Sequence, residues 1–276
     1  MRSLLILLKT SKAPTDTIHD QLDYSTVTER GGELVSQAQL ERFFQRYIWA
    51  GTFSSGVDVL ELACGTGPGL GHLQRVSRRL IAVDISEQVL SAARSHYGDR
   101  VDIRQLDACN TCLDAHSFDV VILFEAIYYI PEVEPFLAEV SRLLRPGGQL
   151  LLATANKDLY DFNPSPFSIR YFNAPELSEL LRRCGFETSF LGGSPVSAAG
   201  LKTRLLRAVK RFASRYRLIP GSMNGKRFLK RLVFGPLVAM PLELDPSTVD
   251  YIAPQAITAD RPNTRYQVLY CIAKRH

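Results

Sequence analysis

The sequence has no uninterrupted apolar run long enough to cross a bilayer, which takes about 18 to 20 residues in a helix. The apolar run near its start, residues 4–8, is only five residues long. Hydrophobic residues make up 46% and charged residues 22% of the 276 positions, which is ordinary for a folded protein. A packed core is therefore expected and intrinsic disorder is not.

Cysteine is scarce and odd in number, and its spacing matches no disulfide framework. This argues against a secreted disulfide scaffold and favours a reducing, cytoplasmic compartment. One pair forms a CxxC, but no second cysteine or histidine pair follows it, so no metal site is expected. The five residues are Cys64, Cys109, Cys112, Cys184 and Cys271.

From residue 57 onwards, short β-branched runs alternate with helical segments. The pattern predicts strands at 57–62, 79–83, 101–106, 118–124, 149–155 and 186–191, and helices at 86–96, 134–144 and 175–184. This rhythm is typical of βαβ units. It predicts a doubly wound α/β fold with a mostly parallel sheet and helices on both faces.

The rhythm stops after residue 191 and returns for one last strand at 266–273. We therefore divide the chain into an N-terminal arm with a cap helix (1–50), a core (51–191), a basic helical insertion or lid (192–264) and a final core strand (265–276). Apolar residues spaced by three and four predict that the cap helix covers the sheet. They are Leu40, Phe43, Phe44, Tyr47 and Ile48.

A glycine-rich turn, ELACGTGPG at residues 61–69, follows the first predicted strand. Glycines let the backbone turn tightly and approach a ligand closely. A strand-to-helix turn lies at the carboxyl edge of such a sheet, where these folds bind ligands. Dinucleotide-binding loops read GxGxxG, but here Gly65 and Gly67 are followed by Leu70 in place of the third glycine. A nicotinamide dinucleotide is therefore disfavoured.

Acids stand at the ends of the next two predicted strands. Asp84 follows Gly67 by 17 residues, and its carboxylate could accept hydrogen bonds from both hydroxyls of a ribose. Asp107 stands in the equivalent place on the third strand and could accept from an exocyclic adenine amine. Together the two acids suggest a nucleoside ligand.

These motifs together resemble the class I S-adenosylmethionine-dependent methyltransferases over about residues 55–190. The matching segments are ELACGTGPG, VDIS, LDA, FDVVILFEAIYYI and LLRPGGQLLLAT, in the order and spacing of that family. The resemblance implies a Rossmann-like core that binds S-adenosyl-L-methionine. It also implies a seven-stranded sheet whose last strand runs antiparallel.

The resemblance also assigns parts of the cofactor to parts of the site. The glycine loop would approach the methionine moiety, Asp84 the ribose, Asp107 the adenine, and the end of the fourth strand the sulfonium. The implied cofactor-binding residues are Glu61, Ala63, Gly65, Thr66, Gly67, Asp84, Ile85, Asp107, Ala108, Phe124 and Glu125.

Methyl transfer from an activated donor needs mainly alignment, although a hydroxyl acceptor also needs a base. Glu125 is the candidate base and could equally hold the cofactor. Tyr128 and Tyr129 follow it at the same sheet edge as further catalytic candidates. A stiff aromatic loop at 162–172 suits an oxygen-rich or anionic acceptor. The candidate substrate-binding residues are Tyr24, Asn156, Arg170 and Tyr171.

Eleven basic residues and no acids lie between Lys202 and Arg231, whereas the rest of the chain is net acidic. Three interpretations stay open: a cap with a solvated basic face, a site for a phosphorylated or lipid-linked acceptor, and peripheral contact with an anionic membrane surface. Nucleic acid is disfavoured, because no interleaved aromatic platform or RNA-binding module is present.

The arrangement further resembles bacterial methyltransferases of surface-polysaccharide and specialised-metabolite pathways. We expect an S-adenosylmethionine-dependent methyltransferase that acts on a small-molecule or glycan-type acceptor, at oxygen. The alternatives are N-methylation of a specialised metabolite, a nicotinamide-dependent oxidoreductase, and a non-catalytic binding protein with a methyltransferase fold.

Overall fold

The computed structural model describes residues 30–165, 167–196 and 237–276. Tyr24 and the basic segment between Lys202 and Arg231 lie outside the described residues. The strands are β1 Leu34–Ser36, β2 Asp58–Leu62, β3 Arg79–Asp84, β4 Asp102–Gln105, β5 Phe118–Phe124, β6 Leu144–Ala155, β7 Phe186–Pro195, β8 Leu237–Ala239, β9 Gln255–Ile257 and β10 Tyr266–Arg275. The helices are α1 Gln37–Ser54, α2 Leu70–Val76, α3 Glu87–Tyr97, α4 Val133–Leu143 and α5 Ala174–Arg183.

Eight strands form one mixed sheet in the order β4-β3-β2-β5-β6-β10-β7-β9. Strands β4, β3, β2, β5 and β6 run parallel, and β10 runs antiparallel to both of its neighbours, β6 and β7. The doubly wound α/β fold with an antiparallel last strand is thus confirmed. Since β2 lies at the centre, its carboxyl end points into the crevice where such sheets bind ligands.

The expected number of seven strands is wrong, because β9 adds an eighth strand antiparallel to β7. Its three residues are exposed or half-buried, so they carry no apolar pattern that the sequence could show. β9 lies within the region predicted as an insertion, and β7 continues to Pro195, past the predicted boundary at residue 191. Both ends of that region therefore extend the sheet.

Helix α1 covers one face of the sheet, as predicted. It begins after Ser36, whose hydroxyl accepts a hydrogen bond from the Gln39 amide and so satisfies a free backbone donor. Its buried stripe includes Phe43, Phe44 and Tyr47, which pack with α2 and α3 on this face. Helices α4 and α5 pack on the other face, so β2 and β5 are buried between two layers.

The chain returns from residue 237 as a segment that we call the strap, residues 237–244. Its first part, β8, pairs antiparallel with β1. The strap then crosses the start of α2, where the Leu244 amide donates to the Pro68 carbonyl at 2.7 Å. Met240 and Leu244 are buried against the core. The strap is therefore part of the wall around the glycine-rich loop.

Among the described residues, no helix is both long enough and apolar enough to cross a membrane. The same part of the chain holds no group of three or more His, Cys, Asp or Glu side chains that could bind a metal ion. All five cysteines are free thiols.

Candidate cofactor and acceptor site

The glycine-rich loop joins β2 to α2 at the carboxyl edge of the sheet. Ala63, Gly65 and Gly67 have φ angles of 56°, 61° and 72°, a region that residues with a side chain rarely adopt. A Cβ at Gly67 would lie 2.6 Å from the Leu70 Cδ1 atom. Gly67 is therefore required by the loop's own packing, beyond any contact with a ligand.

Tyr97, at the end of α3, braces this loop from the protein side. Its buried hydroxyl donates to the Gly67 carbonyl at 2.8 Å and accepts from the Gly71 amide at 3.1 Å. One side chain thus holds both the loop and the first turn of α2. The sequence pattern does not reveal this role of Tyr97, because it indicates only a helix that follows the second predicted strand.

Asp84 ends β3 beside the loop, as predicted. Its Oδ2 accepts from the Gly65 amide at 3.0 Å, and its Oδ1 accepts from the Ser86 amide at 2.9 Å. Burial raises the pKa of Asp84, against the lowering effect of these backbone hydrogen bonds. A carboxylate offers about four acceptor positions, so each oxygen can still receive a ligand hydroxyl.

Glu61, the first residue of the glycine-rich motif, lies within β2 and is 1% exposed. The Tyr47 hydroxyl of α1 donates to its Oε1 at 2.5 Å. Its Oε2 is buried and has no hydrogen-bond partner among the described residues. Burial raises the pKa of Glu61 to about 8, although the Tyr47 hydrogen bond and the charge of Arg46 act in the opposite direction.

Glu125 follows β5 with a φ of 51°, so its backbone is held in a conformation that costs free energy. Its carboxylate lies 3.3 Å from Arg46 of α1 and accepts from the Tyr128 hydroxyl at 3.1 Å and the Ala155 amide at 3.2 Å. Arg46 is 4% exposed. Helix α1 therefore delivers adjacent residues, Arg46 and Tyr47, to Glu125 and Glu61.

Aromatic side chains gather beyond Glu125. The rings of Tyr128 and Tyr171 stack at 4.2 Å, and Tyr129 packs against Tyr128 at 4.6 Å. The Tyr129 hydroxyl contacts the Ser165 hydroxyl at 2.5 Å, and the Ser165 amide donates to the Tyr171 hydroxyl at 3.0 Å. The loop at 162–172 thus folds back onto the turn after β5. We call Tyr128, Tyr129 and Tyr171 the tyrosine cluster.

A family model described as a methyltransferase domain matches residues 60–152. These residues span the loop, both strand-end acids and Glu125. A probable S-adenosylmethionine-dependent methyltransferase of Mycolicibacterium smegmatis is 39% identical over 137 residues, which is 48% of this chain and 53% of that protein. Residues 60–152 thus form a methyltransferase domain of the S-adenosylmethionine-dependent kind.

Other similar proteins agree with this domain. A probable S-adenosylmethionine-dependent methyltransferase of Mycobacterium tuberculosis is 37% identical over 133 residues, covering 47% of this chain and 48% of that protein. A ubiquinone biosynthesis O-methyltransferase of Sinorhizobium medicae is 32% identical over 107 residues, covering 38% and 43%. The chain thus spans about half the length of the curated relatives it matches.

Solved structures share the fold of the methyltransferase domain at low sequence identity. A possible histamine N-methyltransferase of Thermotoga maritima has a TM-score of 0.54 at 17% identity, covering 86% of this chain and 92% of its own. The [4+2]-cyclase SpnF has the same TM-score at 18% identity, covering 90% and 85%. At this identity the likeness concerns the fold, which hosts more than one reaction.

S-adenosyl-L-methionine is the cofactor of this domain, and the residues present fit it. Asp84 keeps acceptor capacity for two ribose hydroxyls, and the unpartnered oxygen of Glu61 suits a cationic group such as an ammonium. Asp107 follows β4 by two residues. It is exposed, and its side chain accepts a hydrogen bond from the Cys109 amide at 2.8 Å. The carboxyl edge thus offers acceptors along the length of a nucleoside and an amino acid.

The other predicted cofactor residues lie around the same edge. Phe124 ends β5 and packs edge-on against Tyr47, with ring centroids 5.5 Å apart. Ile85 is 37% exposed beside Asp84. Ala63 and Ala108 are half-buried, and Thr66 is buried. Their contacts with a cofactor stay predictions.

Asn156 was predicted to bind substrate; that role stays a prediction, and the structure shows its contacts within the chain. Its amide group donates to the carbonyls of Asn263 and Tyr266, and its oxygen accepts from the Asp158 amide. It is 1% exposed, so these backbone groups surround it. Asn156 therefore holds the chain that enters β10.

Arg170 is exposed, and its guanidinium lies over the Phe172 ring at 4.6 Å. The backbone amides of residues 169 and 170 both point at the Tyr128 carbonyl, at 2.7 and 3.4 Å. Arg170 thus belongs to the loop that carries the tyrosine cluster. A contact with the acceptor stays a prediction.

Three of the described histidines, His72, His96 and His116, lie away from the acceptor side of the methyltransferase domain. His72 faces Gly51 between two helices, and His96 contacts Glu243 of the strap at 3.2 Å. His116 contacts the Leu144 carbonyl at the start of β6, at the opposite edge of the sheet. The Glu125 carboxylate, by contrast, accepts a hydrogen bond from Tyr128 of the tyrosine cluster.

Proposed function

We propose that this chain transfers the methyl group of S-adenosylmethionine to an oxygen atom of a small-molecule acceptor. The observation that carries the proposal is that two half-sites, one for the cofactor and one for the acceptor, lie next to each other at the carboxyl ends of neighbouring strands. Glu61 and Asp84 serve the cofactor, and one strand away Glu125 borders the tyrosine cluster. The similarity to ubiquinone biosynthesis O-methyltransferases and to the O-methyltransferase cnsE supports oxygen as the methylated atom.

When bound, the cofactor supplies an activated methyl group, whose carbon–sulfur bond breaks as the bond to the acceptor oxygen forms. The chain's own contribution is alignment, because the reaction needs the acceptor oxygen in line with the sulfur and the methyl carbon. The tyrosine cluster offers a flat aromatic surface beside Glu125, and such a surface suits a planar acceptor or the apolar face of a sugar ring.

The hydroxyl proton of the acceptor must leave during the transfer. Burial raises the pKa values of Tyr128 and Tyr129, with the charge of Glu125 adding to the effect. Both phenols therefore stay protonated near neutral pH and act as hydrogen-bond donors rather than as bases. Glu125 remains the proposed base, positioned by Arg46 and the Ala155 amide.

Direct detection of the product tests this function. The protein is incubated with S-adenosylmethionine carrying a deuterated methyl group and with panels of phenols, sugars and amines, and products are analysed by mass spectrometry. Labelled methyl ethers support the proposal, whereas labelled amines alone would place the reaction at nitrogen. Calorimetry with S-adenosylhomocysteine and with NAD separates the proposal from an oxidoreductase, and binding without turnover on every panel supports a non-catalytic protein.

Glu125→Gln tests the base, since the amide keeps the shape of the side chain. A general base contributes about 100- to 10,000-fold to a rate. We expect kcat to fall by at least about 100-fold with little change in cofactor affinity. A variant with wild-type kcat would show that Glu125 only holds the site together.

We further propose that the acceptor or its carrier bears an anionic group, such as the phosphate of a nucleotide sugar or lipid-linked sugar. The support is the sequence alone: eleven cations and no acids between Lys202 and Arg231. Replacing Arg207, Lys210 and Arg211 by Gln should raise the KM for such an acceptor and leave cofactor affinity unchanged. Loss of binding to anionic liposomes instead would indicate a membrane surface, and a variant equal to wild type in both assays would indicate a solvated basic face.

A further inference from the structure

Glu61 combines two properties that its place in a parallel strand does not require. It is a buried acid in the middle of the sheet, and one of its oxygens has no hydrogen-bond partner among the described residues. Nearly all buried polar atoms in native proteins have a partner, so an exception adjacent to a ligand-binding loop indicates a group that arrives with the ligand.

We propose that cofactor binding releases a proton from Glu61, and that Tyr47 is the positioning residue that holds this carboxyl toward the cofactor's ammonium group. The inference rests on the cofactor assignment in the proposed function and adds its proton linkage. The ammonium is the only nitrogen cation of S-adenosylmethionine. Its N–H groups donate hydrogen bonds and therefore complement an unpartnered carboxylate oxygen.

The contacts of Tyr47 show how it holds the Glu61 carboxyl in place. Its hydroxyl donates to Oε1 at 2.5 Å, which fixes the rotation of the carboxyl group and leaves Oε2 for another partner. Its ring is held in turn by Phe43, at 4.8 Å, and by Phe124, at 5.5 Å. It also closes over Gly69, where a Cβ would lie 2.1 Å from the Tyr47 ring.

The surroundings of Glu61 explain why a proton is involved. Burial raises the pKa of Glu61 to about 8, and the charge of Asp84 raises it further, while Tyr47 and Arg46 lower it. In the free protein at neutral pH this carboxyl is therefore mostly protonated. An ammonium at Oε2 favours the ionised form, so the proton leaves. The titratable and charged groups that face Glu61 are Tyr47 and Arg46 of α1, Cys64 of the loop, Asp84 of β3 and Tyr97 of α3.

Isothermal titration calorimetry in buffers of different ionisation enthalpy counts the protons released on binding. For S-adenosylhomocysteine, whose ammonium is itself protonated at pH 7, we expect about 0.9 proton at pH 7, falling to about 0.5 at pH 8. Its affinity should rise by up to about tenfold per pH unit below pH 8 and stop rising above pH 8, where Glu61 is already ionised and the ligand's ammonium starts to lose its own proton. Methylthioadenosine, which keeps the nucleoside and lacks the ammonium, should release almost none.

The ligand pair separates Glu61 from Asp84, whose pKa is also raised by burial. Asp84 would meet the ribose, and both ligands carry the ribose. Equal proton release by the two ligands would therefore overturn the proposal. S-adenosylhomocysteine that binds with no proton release at pH 7 would overturn it as well, while leaving the proposed function intact. Absence of any binding would instead count against the proposed function.

Variants test the two residues individually. Glu61→Gln should abolish the difference in proton release between the ligands. Tyr47→Phe keeps the ring and removes the hydroxyl, so it should weaken S-adenosylhomocysteine binding by roughly tenfold or more at pH 7 and approach wild type at pH 9. A merely structural role for Tyr47 predicts the same loss at both pH values.

Ser54→Ala is the matched control for Tyr47→Phe. It also removes a buried hydroxyl from α1, but that hydroxyl donates to the helix's own Ala50 carbonyl at 2.8 Å. We expect wild-type proton release and affinity for this variant. Since the ligand comparison uses the unmodified protein, it decides the question even if a variant fails to fold.

Discussion

Glu61→Gln should make the free protein more stable at neutral and alkaline pH. The wild-type carboxyl is buried with its pKa raised to about 8, compared with 4.5 for an ordinary glutamate. The folded state therefore holds this proton over a range in which the unfolded chain has lost it. A group of this kind stabilises fully below pH 4.5, and its contribution is lost as pH rises toward 8.

The size of the effect follows from the same two values. Between these two pKa values the wild-type free energy of unfolding falls by about 1.4 kcal/mol per pH unit. The loss is about 2–3 kcal/mol from pH 5 to pH 7 and about 4 kcal/mol from pH 5 to pH 8.5. Glutamine resembles the protonated carboxyl and still accepts the Tyr47 hydrogen bond. The free energy of unfolding of Glu61→Gln therefore lacks this pH-dependent loss.

Urea unfolding of both proteins at pH 5, 7 and 8.5 measures the difference. The free energy of unfolding of Glu61→Gln relative to wild type should rise steadily with pH. Glu41→Gln is the control, because Glu41 lies on the exposed side of α1 with Gln37 as its neighbour. A flat difference between Glu61→Gln and wild type would refute the reasoning, since Glu61 would then be ionised in the folded protein without penalty.

Three further predictions concern the glycine-rich loop and its supports. Asp84→Ala should weaken S-adenosylhomocysteine binding by roughly 30- to 1,000-fold, because two charge-assisted hydrogen bonds to the ribose contribute about 2–4 kcal/mol. Calorimetry measures this affinity, and an unchanged value rejects the assignment of Asp84 to the ribose. Gly67→Val should lower the free energy of unfolding by at least about 1–3 kcal/mol and also reduce affinity. Gly56→Val, at the same φ of 72° but with open space at its Cβ, should cost less. Glu243→Gln should lower the midpoint of thermal unfolding, because the carboxylate contacts Arg75 and two other basic side chains. The loss should be smaller at high salt, which screens these charges, and equal losses at low and high salt would contradict an electrostatic role.

The arrangement of the site also shows what α1 contributes to function. Adjacent residues Arg46 and Tyr47 reach two acids on neighbouring strands, Glu125 on the acceptor side and Glu61 on the cofactor side. A displacement of α1 would therefore disturb both half-sites together. Mutations on its buried stripe should alter cofactor affinity even where they touch no ligand.

The sequence by itself determined the parts of this protein that depend on local order. Alternation of apolar runs predicted the parallel core, because periodicity reports which face of each element is buried. The glycine loop and Asp84 were found because a strand-to-helix turn and a strand end are defined by neighbouring residues. The position of these features at one edge followed from the parallel direction of the strands.

Only the tertiary structure decided how distant residues pair. Tyr47 lies 14 residues from Glu61 and Arg46 lies 79 from Glu125, and no spacing rule joins a covering helix to a particular acid in a strand. Asn156 looked like a free polar side chain until the chain entering β10 surrounded it. The short strand β9 was hidden for a related reason: its three residues are held by backbone pairing at a sheet edge, and such pairing leaves no mark on side-chain hydrophobicity.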